Sequence, residues 1–303
     1  MEYNKNDKSA FIAIVGRPNV GKSSILNRLL GQKIAIVSSK PQTTRNRITG
    51  VLTDGEYQIV FFDTPGMHKP KNTLGQYMVR SVSESVGGVD CCMLVAEAGC
   101  EPSPADLTLI ERFKSMNMPA ILAINKIDTL KEKDVLMQQI LAYSKLYDFD
   151  AVVPVSAQDG SGMDELLDEL KKQASEGGHF FDDDTLTDQP ERVIASEIIR
   201  EKMLRLLSDE VPHGTAVEIE KMREREGGGM MDIEAIIYCE KESHKGIIIG
   251  KGGAMLKKIG SYAREDLEKF LEIKINLKLW VKVTPDWRNK AGGLRRFGYV
   301  EEK

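Results

Sequence analysis

Phe11-Ile-Ala-Ile-Val15 runs directly into Gly16-Arg17-Pro18-Asn19-Val20-Gly21-Lys22-Ser23. The apolar run predicts a strand, and the stretch 22–31 after the turn reads as a helix. Glycines let the backbone curl so that its N–H groups face one point, and a helix starting near Lys22 adds the positive end of its dipole. A strand, a loop and a helix joined in this way form a cradle for phosphate. Nothing structural demands Lys-Ser at 22 and 23 in a turn without a ligand. Lys22 is expected to reach the β- and γ-phosphates. The Ser23 hydroxyl is expected to ligate Mg2+, with Ser24 next to it in the nucleotide-binding set.

Outward from this loop the pattern repeats. Residues 57–62, 91–96, 120–125 and 151–156 read as further strands, and 73–87, 104–116, 131–147 and 163–174 as helices. The runs at 91–96 and 120–125 are nearly continuous in apolar residues, as strands buried on both faces are. Alternation of this kind gives an α/β domain, expected over 1–175, with a mostly parallel sheet and right-handed crossovers. Residues 176–190, with Gly177-Gly178, an acidic run and Pro190, read as a linker. A different order follows over 191–285: helix 191–208, strands 215–225 and 231–239, a Gly-rich turn at 250–253, helix 254–271 and strand 273–283. A basic and aromatic tail, 286–303, closes the chain.

Composition sets limits. The chain of 303 residues has a net charge of −4, so taken whole it does not look like a nucleic-acid binder. Its halves differ: 20 basic against 26 acidic residues in 1–190, and 22 against 20 in 191–303. Within 244–296 there are 13 basic and 5 acidic residues, the footprint of a phosphate-backbone partner. The four cysteines lack metal-ligand spacing and fit a reducing cytosol. Met1–Ser9 lacks the apolar core of a signal peptide, and no apolar run approaches the roughly 20 residues needed to span a bilayer. A cytoplasmic monomer is expected.

Three more motifs complete a nucleotide site. Asp63-Thr64-Pro65-Gly66 follows the strand 57–62, which puts Asp63 at the carboxyl edge of the sheet to orient a metal-bound water, and the Gly66 N–H within reach of a γ-phosphate. Asn125-Lys126-Ile127-Asp128 ends the strand 120–125. A carboxylate at 128 accepts two hydrogen bonds from the N1–H and exocyclic amine of guanine, a donor pair that adenine lacks. Asn125 is expected to brace the loops and the Lys126 stem to cover the base. Val155-Ser156-Ala157 ends the next strand, with the Ala157 N–H expected on guanine O6. The polar stretch 38–49 takes the place of a mobile effector loop, in which Thr43 or Thr44 closes on Mg2+, Thr44 being favoured. Lys22, Thr44 and Gly66 form the candidate catalytic set; Ser23, Thr44 and Asp63 the candidate metal ligands.

In the second half, Gly250-Lys251-Gly252-Gly253 precedes a basic helix carrying Lys257 and Lys258. A GXXG turn of this kind brings backbone N–H groups and a helix N-terminus against single-stranded RNA phosphates. Ile248 and Ile249 read as core. Trp287, Arg288, Arg295, Arg296, Phe297 and Tyr299 interleave aromatic and basic groups, which either stack bases or pack the tail onto the domain.

Together, GRPNVGKS, PQTTR, DTPG, NKID and VSA resemble the translation-factor-related bacterial GTPases and, within them, the Era family; the α-β-β-α-α-β order around GXXG resembles the type II KH domain that follows the GTPase in that family. The resemblance covers nearly the whole chain. It implies a P-loop GTPase that hydrolyses GTP to GDP and phosphate, binds the 3′ end of small-subunit ribosomal RNA and assists assembly of the small ribosomal subunit. The alternative reading is a regulatory GTPase peripheral at the inner face of the cell membrane, with the KH fold as a protein dock. Ras-like proteins carry a water-orienting Gln where this chain has Met67, so slow intrinsic hydrolysis is expected. In related GTPases an Asn at the Asn19 position helps hold a monovalent cation, which suggests K+ as a second cofactor.

Overall fold

The computed structural model describes residues 7–40, 42–67, 70 and 72–299. Residues 1–6, in the segment read as lacking a signal peptide, and Pro41 of the effector loop lie outside the described residues. The chain divides into two compact units: Met1–Val37, Thr44–Lys69 and Met78–Asp188 form the first, and Ser38–Thr43, Pro70–Tyr77 and Gln189–Lys303 the second.

The first unit is an α/β sheet with helices on its faces. Its elements are β1 (Lys8–Val15), α1 (Lys22–Leu30), β2 (Ile48–Asp54), β3 (Tyr57–Asp63), α2 (Thr73–Val86, of which the part from Met78 on belongs to this unit), β4 (Cys91–Glu97), α3 (Pro104–Met116), β5 (Ala120–Asn125), α4 (Lys133–Ser144), β6 (Ala151–Val155), α5 (Met163–Lys171) and β7 (Ser175–Glu176). The strand order is β2-β3-β1-β4-β5-β6, with the short β7 antiparallel to β1. From β3 to β6 every neighbouring pair is parallel; β2 alone runs antiparallel to β3. Alternate residues of each strand fill two cores. Ile12, Ile14, Met93 and Ala123 face a layer with Ile25, Leu26 and Leu166; Ala13, Val15, Leu94 and Leu122 face one with Val82, Leu109 and Phe113.

Strand β2 falls partly on the stretch expected as effector loop, which therefore ends at Arg47 rather than residue 49. The alternating Ile48, Gly50 and Leu52 gave only a short signal beside a polar run, and it is the hairpin turn at Gly55, with φ +61, that folds this strand onto β3. Residues 177–188, expected as linker, run along the first unit. The Phe180 and Phe181 N–H groups donate to Gln58 Oε1, and the Val51 N–H to the Leu186 carbonyl.

The second unit contains α6 (Glu191–Leu206), β8 (Ala216–Glu224), β9 (Met230–Cys239), α7 (Glu242–Ile249), α8 (Ala254–Leu271), β10 (Lys274–Val283) and α9 (Ala291–Arg296). The sheet order is β10-β9-β8, with β9 parallel to β10 and antiparallel to β8. Ile194, Ile198 and Ile199 of α6 and Ile259, Ala263 and Leu267 of α8 pack with Ile233, Ala235 and Ile237 of β9 in one core. The tail packs on its own domain. Trp287 is fully buried and donates through Nε1 to the Gly214 carbonyl (2.9 Å), with Phe297 edge-on at 5.1 Å and Tyr299 stacked at 5.9 Å. Between the two readings of the tail, packing is the one these aromatics adopt.

Candidate active site and KH loop

The phosphate loop joins β1 to α1, and two of its glycines are demanded by their neighbours. A Cβ on Gly16, whose φ is +145, would sit 2.4 Å from the Val95 carbonyl oxygen; one on Gly21, with φ +100, would sit 2.1 Å from Asn125 Nδ2. Lys22 is buried, and its ammonium donates to the carbonyls of Gly16 (3.2 Å) and Arg17 (2.8 Å) inside the loop. Burial lowers its pKa to about 8, against the opposing pull of Asp63 and Asp106. Val20 is core.

Three oxygen-bearing side chains converge beside Lys22. Ser23 Oγ donates to Asp63 Oδ2 (2.5 Å) and lies 3.0 Å from Thr44 Oγ1, which is 3.4 Å from the same carboxylate oxygen. The other oxygen, Asp63 Oδ1, is buried with no hydrogen-bond partner, and burial pushes the pKa of this carboxyl up to about 6. A buried carboxylate with one oxygen unbonded, beside two hydroxyls, is a donor set for a hard cation such as Mg2+. Of the two threonines left open in the sequence, Thr44 is the one whose hydroxyl lies beside Asp63, while the Thr43 hydroxyl donates to the Lys40 carbonyl (2.6 Å). In the second unit, the fully buried Arg200 donates to the carbonyls of Gln42 (3.4 Å) and Thr43.

Past Asp63, the Thr64 hydroxyl donates to the Ile14 carbonyl (2.8 Å) and fixes the turn to β1. Gly66 rests on the phosphate loop: a Cβ there would lie 2.6 Å from Pro18 Cα. The Met67 N–H donates to the Gly16 carbonyl (3.1 Å), while its side chain packs on the core. An apolar side chain so placed has no group with which to polarise a water.

Asn125 ties the base side to the phosphate side. Its Nδ2 donates to the Val20 carbonyl (2.8 Å) and its Oδ1 accepts from the Ala157 N–H (3.0 Å). The Ala157 N–H, expected on guanine O6, donates to the Asn125 side-chain oxygen here. Asp128 is exposed, and the buried Ser156 hydroxyl donates to its Oδ1 (2.7 Å), turning the carboxylate on a fixed pivot. Lys126, in left-handed backbone with φ 70, pairs with Glu97 Oε1 at 2.9 Å. The sequence reading missed Glu97; the charged residue ending an otherwise apolar strand was the available signal.

The second candidate site is the turn between α7 and α8. Gly250, Gly252 and Gly253 all have positive φ (73, 59 and 80), and Lys251, Lys257 and Lys258 are exposed around them. Ile248 is core as expected, whereas Ile249 is half-buried. A shallow groove lined by Leu256, Lys257, Gly260, Arg264, Asn276 and Leu279 continues from the turn.

Residues 11–126 match the 50S ribosome-binding GTPase family and residues 210–288 the KH domain family. The GTPase Era of Ruminiclostridium cellulolyticum is 53% identical over 296 residues, covering 98% of this chain and 99% of its own. The chain belongs to the Era family of GTPases. The Era of Clostridioides difficile is 51% identical, over 97% of this chain and 99% of its own. Two solved Era structures, each 40% identical with a TM-score of 0.93, cover 97% of this chain and all of theirs: an Aquifex aeolicus Era variant bound to GDP and AlF4−, and an Era in complex with MgGDPNP and nucleotides 1506–1542 of 16S ribosomal RNA. The first unit is thus a P-loop GTPase domain, the KH fold follows it, and the chain is an enzyme of GTP hydrolysis. Among the described residues no helix is long and apolar enough to cross a membrane.

Proposed function

We propose that this Era-family GTPase is a slow, GTP-dependent cytoplasmic switch that binds the 3′ end of small-subunit ribosomal RNA through its KH loop and assists small-subunit assembly. The division that goes with this reading is 1–175 for GTP and 191–285 for RNA, followed by the 286–303 tail, of which Trp287, Phe297 and Tyr299 pack together. Lys22 holds the β- and γ-phosphates, Gly66 N–H the γ-phosphate, and Asp128 the guanine edge. Ser23, Thr44 and Asp63 would hold Mg2+, which neutralises phosphate charge and so favours departure of the γ-phosphate. Asn19 is the residue assigned to a K+ ion. Met67 leaves the attacking water to backbone groups or a partner, so turnover by the isolated protein is slow.

The observation that carries the RNA assignment is the exposed Gly250–Gly253 turn with Lys251, Lys257 and Lys258 about it, in a chain similar over 97% of its length to an Era whose structure holds 16S ribosomal RNA. Coupling to nucleotide is supported by the effector loop: Thr43, its carbonyl held by Arg200, is covalently next to Thr44, which sits on Asp63. The test is fluorescence anisotropy of a labelled single-stranded RNA matching the 3′ end of small-subunit ribosomal RNA. Tighter binding with a GTP analogue than with GDP, lost in the Lys251→Asp/Gly252→Asp double variant, is expected. Equal binding in both states would break the coupling, and lipid-vesicle binding that survives the double variant, with no RNA binding, would replace the RNA reading by the membrane one.

A further inference from the structure

Behind the phosphate loop lies a buried charge that the nucleotide site as described does not use. Asp106, in the first turn of α3, is fully buried. Its Oδ2 accepts from the Ser103 N–H (2.8 Å), the Ser103 hydroxyl (2.7 Å) and the Tyr143 hydroxyl of α4 (3.1 Å). Its Oδ1 is buried without a hydrogen-bond partner. Facing it is Arg17, the second residue of the phosphate loop, whose Nε lies 3.9 Å from Oδ2 and is also buried and unbonded. A capping box alone needs no buried anion, since caps work as well at the surface. A buried carboxylate needs hydrogen bonds and a nearby cation to offset its desolvation; Arg17 faces it at contact distance, and the Lys22 ammonium also feels its charge.

Arg17 stands between the two residues on which the reactive side of the site rests. The Gly16 carbonyl accepts from both Lys22 and the Met67 N–H, and Pro18 is the seat of Gly66. A displaced Arg17 moves both. We propose that Asp106, braced by Tyr143, is the positioning residue of the phosphate loop: through Arg17 it sets the Gly16–Pro18 turn, and thereby nucleotide affinity, without touching the nucleotide.

The experiment uses the full chain, with a fluorescent GDP analogue for affinity, single-turnover hydrolysis at saturating GTP for the rate, and thermal melting for the fold. Asp106→Asn keeps the volume and a cap acceptor but removes the charge. Its GDP affinity is expected to fall about 10-fold, while the saturated rate changes less than about 3-fold. Arg17→Gln should do the same, and the double variant should bind no more weakly than the weaker single one, because the two act as a unit. Ser103→Ala, which removes the cap hydroxyl and one of the three hydrogen bonds to Asp106 Oδ2 but keeps the charge, should lower the melting temperature and weaken GDP binding by no more than about 2- to 3-fold. The proposal is overturned if Asp106→Asn binds GDP like the wild type, if the two single effects multiply, or if Ser103→Ala reproduces the affinity loss. Should Asp106→Asn not fold, Tyr143→Phe deletes one brace: a loss of about 2- to 3-fold in affinity supports the link, and none overturns it.

Discussion

Two glycine-rich loops at helix N-termini, Gly16–Gly21 and Gly250–Gly253, use the same residue for different reasons. In the first, the glycines are crowded by atoms of other strands and loops: Val95 on Gly16, Asn125 on Gly21. In the second, Gly252 and Gly253 have nothing within 4 Å of an added Cβ, and only Gly250 is closed in, by Met255. The phosphate loop is fitted against its neighbours at Val95 and Asn125. The KH turn has open space on its outer side at Gly252 and Gly253. Loss of a glycine should therefore damage the first loop through its neighbours and the second through its ligand.

The largest effect is expected at Gly21. An alanine Cβ must push Asn125 off the Val20 carbonyl and adopt φ +100 besides, so phosphate loop and base loop separate together. GDP affinity, by calorimetric titration, should fall at least about 100-fold, the loss of two or more hydrogen bonds at the site. Near-normal binding would show that Asn125 does not tie the halves.

Next comes the charge at Asp63. Its carboxyl, raised to about 6 by burial, binds a proton more tightly in the folded chain than in the unfolded one. Stability of the metal-free protein therefore falls as pH rises from about 4 to 6, and the loss persists above that. Asp63→Asn removes the penalty. In chelator at pH 7 the variant should be the more stable by up to about 3 kcal/mol, with the gap closing toward pH 4. A gap that does not vary with pH in denaturant titrations would place the proton elsewhere.

How far each loop was legible follows from the same contrast. The phosphate loop, Asp63, Asn125 and Asp128 are read from short motifs because their chemistry fixes residue type at fixed spacing. Thr43 and Thr44 differ in hydroxyl direction, toward Lys40 and Asp63 respectively, which spacing does not encode. Glu97 and Asp106 escaped because their partners, Lys126 and Arg17, are 29 and 89 residues away and no local pattern joins them. In the second unit, α7 begins at Lys241-Glu242 without a strong cap, and its apolar run at 247–249 reads as readily as strand. Trp287 was ambiguous because an aromatic among arginines suits a base as well as a core.

At Gly252, alanine should cost the fold only about 1 kcal/mol for the left-handed backbone, a shift of a few degrees in melting temperature. RNA affinity should fall further, about 10-fold, because the Cβ occupies the space that a phosphate needs. If RNA binding is unharmed while the fold suffers more, the turn is structural and the comparison reverses.

The smallest effect separates bracing from binding inside the nucleotide site itself. Glu97 holds Lys126 at 2.9 Å, but both side chains are about one-third exposed, and exposed ion pairs contribute roughly 0.2–1 kcal/mol. The left-handed Lys126 backbone is also held without Glu97, since the Lys126 carbonyl accepts from the Thr129 N–H (3.0 Å) and hydroxyl (2.7 Å). Glu97→Gln should therefore weaken guanine-nucleotide binding by no more than about 3-fold, an effect that shrinks further in high salt. A loss nearer 100-fold would mean that Glu97 acts on the nucleotide as Asp128 does, and that the base side carries two essential carboxylates rather than one.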